Sequence, residues 1–456
     1  MHPGDSLLLA ALAGAPRRSP LPPFPAPPAE AAAAGPATAL AFCIETARRA
    51  LAGTAPAPSP QVATLFQASL AALVREALQP QRGDPVFQAR VLQAQDPSVA
   101  EYVRLARDAA ADRRAVRTAV DALAHPGKQR GMAPGPLREA LARLHEMAMQ
   151  GDWAGLGQEI PLLLAQPYAA PDLQDALADL HSQPTLHRLA RADELLAQEG
   201  VQRYLALRSQ HGPAAGSDDA AAAGRASARH GLRAEQATVQ AFELAAGLLA
   251  RHEPGSRWRV LRGLRPLSGF PGATTQAKDE WDVALARTAE SGAWALVLVA
   301  EVKASPAAVS SDLPRLLRGL QRLGQAEAAA DYRFASAEGE VLLQGASLRG
   351  LAPRGRALPG QVIYCSTAPV ESRPALLGAA TRAVLLAEPA SLAFALRLAG
   401  GAAPCEADLD AVWQALGSEA RLRAALHQDD TARAAREAML HPEDLVGALV
   451  QSATPD

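Results

Sequence analysis

Two kinds of hydrophobic spacing divide this chain. Over residues 38–51, 61–78, 99–124, 136–149 and 189–207, apolar residues recur every three to four positions, which predicts amphipathic helices. Between about 225 and 390 the pattern is mixed. Residues 232–252 predict one more helix, with Glu235, Val239, Phe242, Ala246 and Leu249 on one stripe. Residues 256–264 predict a strand, and 278–303 predict two strands around a tight turn. A helix follows from about Asp312, with Leu313, Leu316, Leu317, Leu320 and Leu323 turned inward. Further on, 341–344, 361–365 and 383–387 read as strands and 373–380 as a helix. The chain is helical again from 391, with Pro442 breaking the last segment. The expected fold class is therefore α/β, a mixed sheet flanked by helices, preceded by an all-α N-terminal domain.

The segment boundaries follow from composition. Residues 1–36 are Pro/Ala-rich and expected to be disordered. Their apolar stretch at 7–12 lacks a basic leader and precedes Arg17 and Arg18, so it does not read as a signal peptide. Residues 37–211 form the helical domain, offering a surface for a protein partner. Residues 212–223 read as a linker or helix start, with Asp218 or Asp219 as a cap. The mixed domain covers 225–390, and 391–456 is a helical extension. No apolar run reaches the length of a membrane span.

The hairpin carries the chemistry. Side chains alternate faces along a strand, so Glu301 and Lys303 point one way and Val302 the other. The midpoint between positions 282 and 301 falls between Ser291 and Gly292, both good turn residues. A hairpin pivoting there sets Asp282 opposite Glu301, and two carboxylates and an ammonium share one patch. Both charges of Glu301 and Lys303 follow a nearly continuous apolar run from 293 to 300, at the end of a buried strand. Carboxylates are hard oxygen ligands suited to Mg²⁺ or Mn²⁺. The alternative is a surface hairpin with a routine Glu/Lys pair.

The pattern Asp282 followed by Glu301-Val302-Lys303 resembles the PD-(D/E)xK nuclease superfamily, the restriction-endonuclease-like fold. The local form Glu280-Trp281-Asp282-Val283 is similar to the version in which hydrophobic residues flank the aspartate; Trp281 stands where the family name has proline. The resemblance implies a core of a helix, three strands, a helix and a further strand, here over about 235–390. It implies that Asp282 and Glu301 hold a divalent metal, that Val302 lends its carbonyl, and that Lys303 assists the attacking water. It brings in Glu235 of the first helix as a further carboxylate, the alternative being a helix-start carboxylate with one exposed edge. The implied activity is metal-dependent hydrolysis of nucleic-acid phosphodiesters, with DNA ahead of RNA. The competing reading is a non-enzymatic nucleic-acid- or protein-binding scaffold that keeps the nuclease-like core.

Charge and composition change this picture only locally. The net charge of the 456 residues is -2, so no global field draws the chain to nucleic acid. Between 251 and 330, however, eleven Lys/Arg face eight Asp/Glu. Arg315, Arg318 and Arg322 form a stripe on the helix after the hairpin that either tracks a nucleic-acid backbone or is a solvated face. Only three lysines occur, at 128, 278 and 303. The arginine bias suggests a GC-rich bacterial genome, and a retained lysine then marks a need for a compact ammonium. The three cysteines, at 43, 365 and 405, form no metal-binding pair and fit reduced thiols in a cytoplasm. No histidine falls between 252 and 427, which excludes a histidine-based centre there.

Overall fold

The computed structural model describes residues 2–166, 171–210, 218–272, 277–289, 292–355 and 357–454. It is a mixed α/β protein with a seven-stranded mixed sheet and an all-helical N-terminal region. The chain forms two compact units, one of residues 1–74, 216–394 and 404–456, the other of 75–215 and 395–403.

The first unit contains the sheet. Its named elements are α1 (Pro3–Gly14), α2 (Asp218–His252), β1 (Trp258–Pro266), β2 (Trp281–Thr288), β3 (Trp294–Val302), α3 (Val309–Leu323), β4 (Asp331–Ser336), β5 (Gly339–Gln344), β6 (Val362–Cys365), α4 (Gln428–Glu437), β7 (Met439–Leu440) and α5 (Pro442–Ala453). Strands β1, β2 and β3 run as an antiparallel meander, and β6 lies parallel to β3 with Val299 beside Val362 and Glu301 beside Tyr364. A parallel neighbour needs a crossover, which α3 and the β4–β5 hairpin supply. Helices cover both faces. Leu313, Leu316, Leu320 and Leu323 of α3 pack with Trp281, Ala284, Val299 and Val362 on one face. Phe242, Ala245 and Leu249 of α2, with α1 and α5, pack with Val283, Leu285, Leu298 and Ala300 on the other. Burial on both faces explains why β3 reads as an apolar run rather than an alternation.

Several sequence expectations change. Residues 1–36 are not a disordered tail: Leu7, Leu8, Ala11 and Leu12 of α1 are buried in the sheet core. The following extended stretch is held by arginines more than 400 positions away. Arg433 donates to the carbonyls of Leu21 and Pro22 and sits over the Phe24 ring, and Arg436 donates to the carbonyl of Ser19. Composition reports only local preference and does not see such partners. The expected strand at 383–387 and helix at 373–380 are replaced by one helix, Ala379–Ala387, whose buried Thr381, Leu385 and Leu386 share one face. A five-residue apolar run fits either period, and packing decides. The strand that continues the sheet beyond β6 is instead β7, so 391–456 is no mere extension. β4 is a further strand that the sequence pattern did not show. The proposed caps Asp218 and Asp219 carry side chains outside the described residues.

The second unit is all helical, and its limits differ from 37–211 because residues 37–74 belong with the sheet. Its helices start with a repeated signal, an Asp cap followed by Pro. Asp84 accepts from the amides of Val86 and Phe87, and Asp96 accepts from that of Ser98. Val116, Leu141, Leu144, Trp153, Leu156 and Leu189 fill the core. Arg188 grips the buried Asp112 through two hydrogen bonds of 2.8 and 2.6 Å.

Candidate active site in the β2–β3 hairpin

The hairpin register brings the candidate residues together. Val283 pairs with Ala300, which continues to Asp282 opposite Glu301. At the turn end the pairing is Thr288 with Trp294, and a bulge between Leu285 and Ala286 takes up the difference. Val297 is the extra residue, so Val297 and Leu298 both face the core shared with α2. The expected opposition at the site therefore holds although the centre of the turn lies half a residue from the expected pivot. Of the two expected turn residues, Ser291 lies outside the described residues, and Gly292 adopts φ 84°.

Asp282 is half-buried, and its Oδ2 accepts the Val302 amide at 2.7 Å, locking the strand end. Glu301 has 0% exposure. Its Oε2 receives two ammonium groups, a short ion pair from Lys278 and a 3.5 Å contact from Lys303. Its Oε1 is buried with no hydrogen-bond partner. Burial and the neighbouring Asp282 charge push the Glu301 carboxyl up, against the pull of Lys278 and Lys303. For Lys303, burial alone would favour the neutral amine. Glu301, Asp312 and Asp282 outweigh it and hold the pKa above its ordinary value, so Lys303 is an ammonium. Asp312 of α3 contacts Lys303 Nζ at 3.2 Å, and its other oxygen accepts the Tyr364 hydroxyl at 3.2 Å.

Glu235 lies on α2, half-buried. Burial raises its pKa, and so do Asp282 and Glu280, while Arg262 lowers it. Its carboxyl thus senses the same centre. The arginine stripe does not stay whole. Arg315 and Arg318 are exposed, but Arg322 is 8% exposed, bonded to Asp279 at 2.7 Å, and stacked over Phe270 with its guanidinium carbon 5.4 Å from the ring centroid. It is a structural residue and is unavailable to a phosphate backbone. Phe270 in turn packs edge-on against Tyr332 and Phe334, anchoring the loop after β1 to the α3 side; residues 273–276 of that loop lie outside the described residues.

Sequence reasoning missed three site residues. In the sequence Lys278 reads only as a retained lysine beside the hairpin, Asp312 only as a helix start, and Tyr364 only as part of a strand. The scarcity of lysine was the one signal for Lys278. Nothing local announced Asp312 or Tyr364, whose positions depend on the crossover to β6. Among the described residues, no group of three or more His, Cys, Asp and Glu side chains gathers as a metal site. Nor is any single helix there long and apolar enough to cross a membrane. Comparison with protein-family models, curated proteins and solved structures finds no match to the chain.

Proposed function

We propose that this protein is a metal-dependent phosphodiesterase acting on nucleic acid, built on a restriction-endonuclease-like core. The observation that carries the reading is the juxtaposition of Asp282, Glu301 and Lys303 at the end of a buried strand, in the register described above. The element order α2, β1, β2, β3, α3, β6 within one sheet is in keeping with the core that the motif implies.

The donors suit a hard cation. Asp282 and Glu301 offer carboxylate oxygens, Val302 a backbone carbonyl, and the unpartnered buried Oε1 of Glu301 is an acceptor in want of a cation. A bound Mg²⁺ or Mn²⁺ would supply Lewis acidity at the phosphoryl group and a more acidic water. The chain's own groups do the rest. Lys303, held as an ammonium by Glu301 and Asp312, stabilises negative charge developing on the phosphoryl oxygens and orients the water; it is charged and so is not the base. Arg315 and Arg318 offer exposed charge for the nucleic-acid backbone, and Glu235 adds negative potential near the metal ligands.

A second reading is favoured by one observation: Glu301 is fully buried and already neutralised by Lys278. A scaffold that keeps the core for nucleic-acid or protein binding would look the same. Labelled single- and double-stranded DNA and RNA, incubated with Mg²⁺ or Mn²⁺, separate the two. Metal-dependent cleavage lost in Asp282→Ala and Lys303→Ala supports the enzyme. Binding without cleavage on all four substrates supports the scaffold.

A further inference from the structure

Lys278 is placed with unusual care for a residue outside the motif. It precedes β2 and is 7% exposed. A Cβ on Gly319 of α3 would fall 2.8 Å from the Lys278 carbonyl oxygen and 3.0 Å from its Cβ, so the lysine backbone rests directly on the helix at its glycine. One turn along α3, Arg322 clamps Asp279, and Trp281 is buried against the same helix layer. The segment from Lys278 to Trp281 is thus fastened to α3, and the ammonium is delivered to Glu301 Oε2.

That ammonium meets a need. A fully buried carboxylate without a counter-charge is costly, and Glu301 has no exposure to water. Lys303 alone is a poor remedy, because its charge is shared with Asp312. Yet two ammonium groups on one oxygen also oppose a divalent cation, since each repels it at close range in a weakly screening interior. We propose that Lys278 is a built-in counter-ion that competes with the divalent metal for Glu301, so that metal loads only as the Lys278–Glu301 pair is loosened. The device would keep the centre assembled but idle at low metal concentration. This inference rests on the metal-dependent reading of the site.

The test is Mn²⁺ binding to the full-length protein by calorimetry, comparing wild type with Lys278→Gln, which keeps a hydrogen-bond donor and removes the charge. Competition requires affinity to rise by on the order of ten-fold or more, and the gain to vanish in Lys278→Gln combined with Glu301→Gln. Equal or weaker Mn²⁺ affinity in folded Lys278→Gln overturns the inference. If the wild type binds Mn²⁺, loses it in Asp282→Asn and is indifferent to Lys278→Gln, only the competition falls. If neither wild type nor Lys278→Gln binds, the metal reading falls with it. A second measurement needs no variant at position 278. The chain has three lysines, so ¹⁵N-lysine labelling yields three ammonium signals. Saturating Mg²⁺ is expected to shift that of Lys278 and leave Lys128 still; an unmoved Lys278 signal under saturation overturns the proposal.

Discussion

Asp312 holds Lys303: its Oδ1 lies 3.2 Å from the lysine Nζ while its Oδ2 accepts the Tyr364 hydroxyl. The helix after β3 and the strand beside it thus aim the one ammonium that the phosphodiesterase reading needs. Asp312→Asn keeps the shape and removes the charge. It is expected to lower the single-turnover cleavage rate by up to about 100-fold, through a misplaced lysine, while KM and the melting temperature change little. Tyr364→Phe is expected to have a smaller effect of the same sign. A rate for Asp312→Asn equal to wild type would show that Lys303 does not depend on this contact.

Arg322 and its neighbours on α3 are expected to behave in opposite ways. Arg322→Ala breaks the ion pair of a buried guanidinium with the half-exposed Asp279 and a ring contact, and is expected to cost about 2 kcal/mol of stability, read by denaturant unfolding. Arg315→Ala with Arg318→Ala is expected to leave stability within about 0.5 kcal/mol. The double variant should instead weaken nucleic-acid binding and lower its salt slope by about one per arginine, or roughly two in all.

Gly319→Ala sets two effects against each other. In a helix interior alanine is favoured over glycine by about 1 kcal/mol. Here the new methyl would press on the Lys278 backbone at 2.8 Å, and backbone cannot swing aside. Overpacking of this kind costs about 1–3 kcal/mol, so net destabilisation is expected, read by denaturant unfolding. A more stable Gly319→Ala protein would contradict the close approach.

The N-terminal helix offers a pH-dependent test. Glu253 accepts the Gly4 amide at 3.0 Å and so ties α1 to α2. Burial raises its pKa, but the Ser256 and Gly4 hydrogen bonds with Arg287 and His2 outweigh it, leaving the carboxyl below its ordinary value. A depressed carboxyl contributes its stability in full above the unfolded pKa, about 4.5, and loses it as pH falls through the folded value. Glu253→Gln is therefore expected to flatten the fall in melting temperature below about pH 4.5. Leu8→Asp, which buries a charge beneath the sheet, is expected to cost more than about 3 kcal/mol at neutral pH. A disordered N-terminus would tolerate both.

Cysteine labelling reports on the core beneath the site. Burial pushes the Cys43 and Cys365 thiols up to about 12, whereas Cys405 is exposed. A disulfide reagent at pH 8 is expected to label Cys405 alone in the folded protein and all three after denaturation.

By itself the sequence determined the helical periodicity, the buried character of β3, and the opposition of Asp282 to Glu301 with Lys303 on the same face. These follow from periods of 3.6 and 2 and from a short loop, which are properties of adjacent residues. The tertiary structure decided what depends on distant partners. It buried α1 against the sheet through Leu8 and Leu12, held residues 19–24 with Arg433 and Arg436, and took Arg322 out of the basic stripe to pair with Asp279. It also turned the run ending at Ala387 into helix and brought Met439 and Leu440 to the sheet instead. Above all it set Lys278 on Glu301. That contact joins the segment before β2 to β3 beside α3, and its strength comes from opposite charges meeting in a weakly screening interior, which no local pattern of residues records.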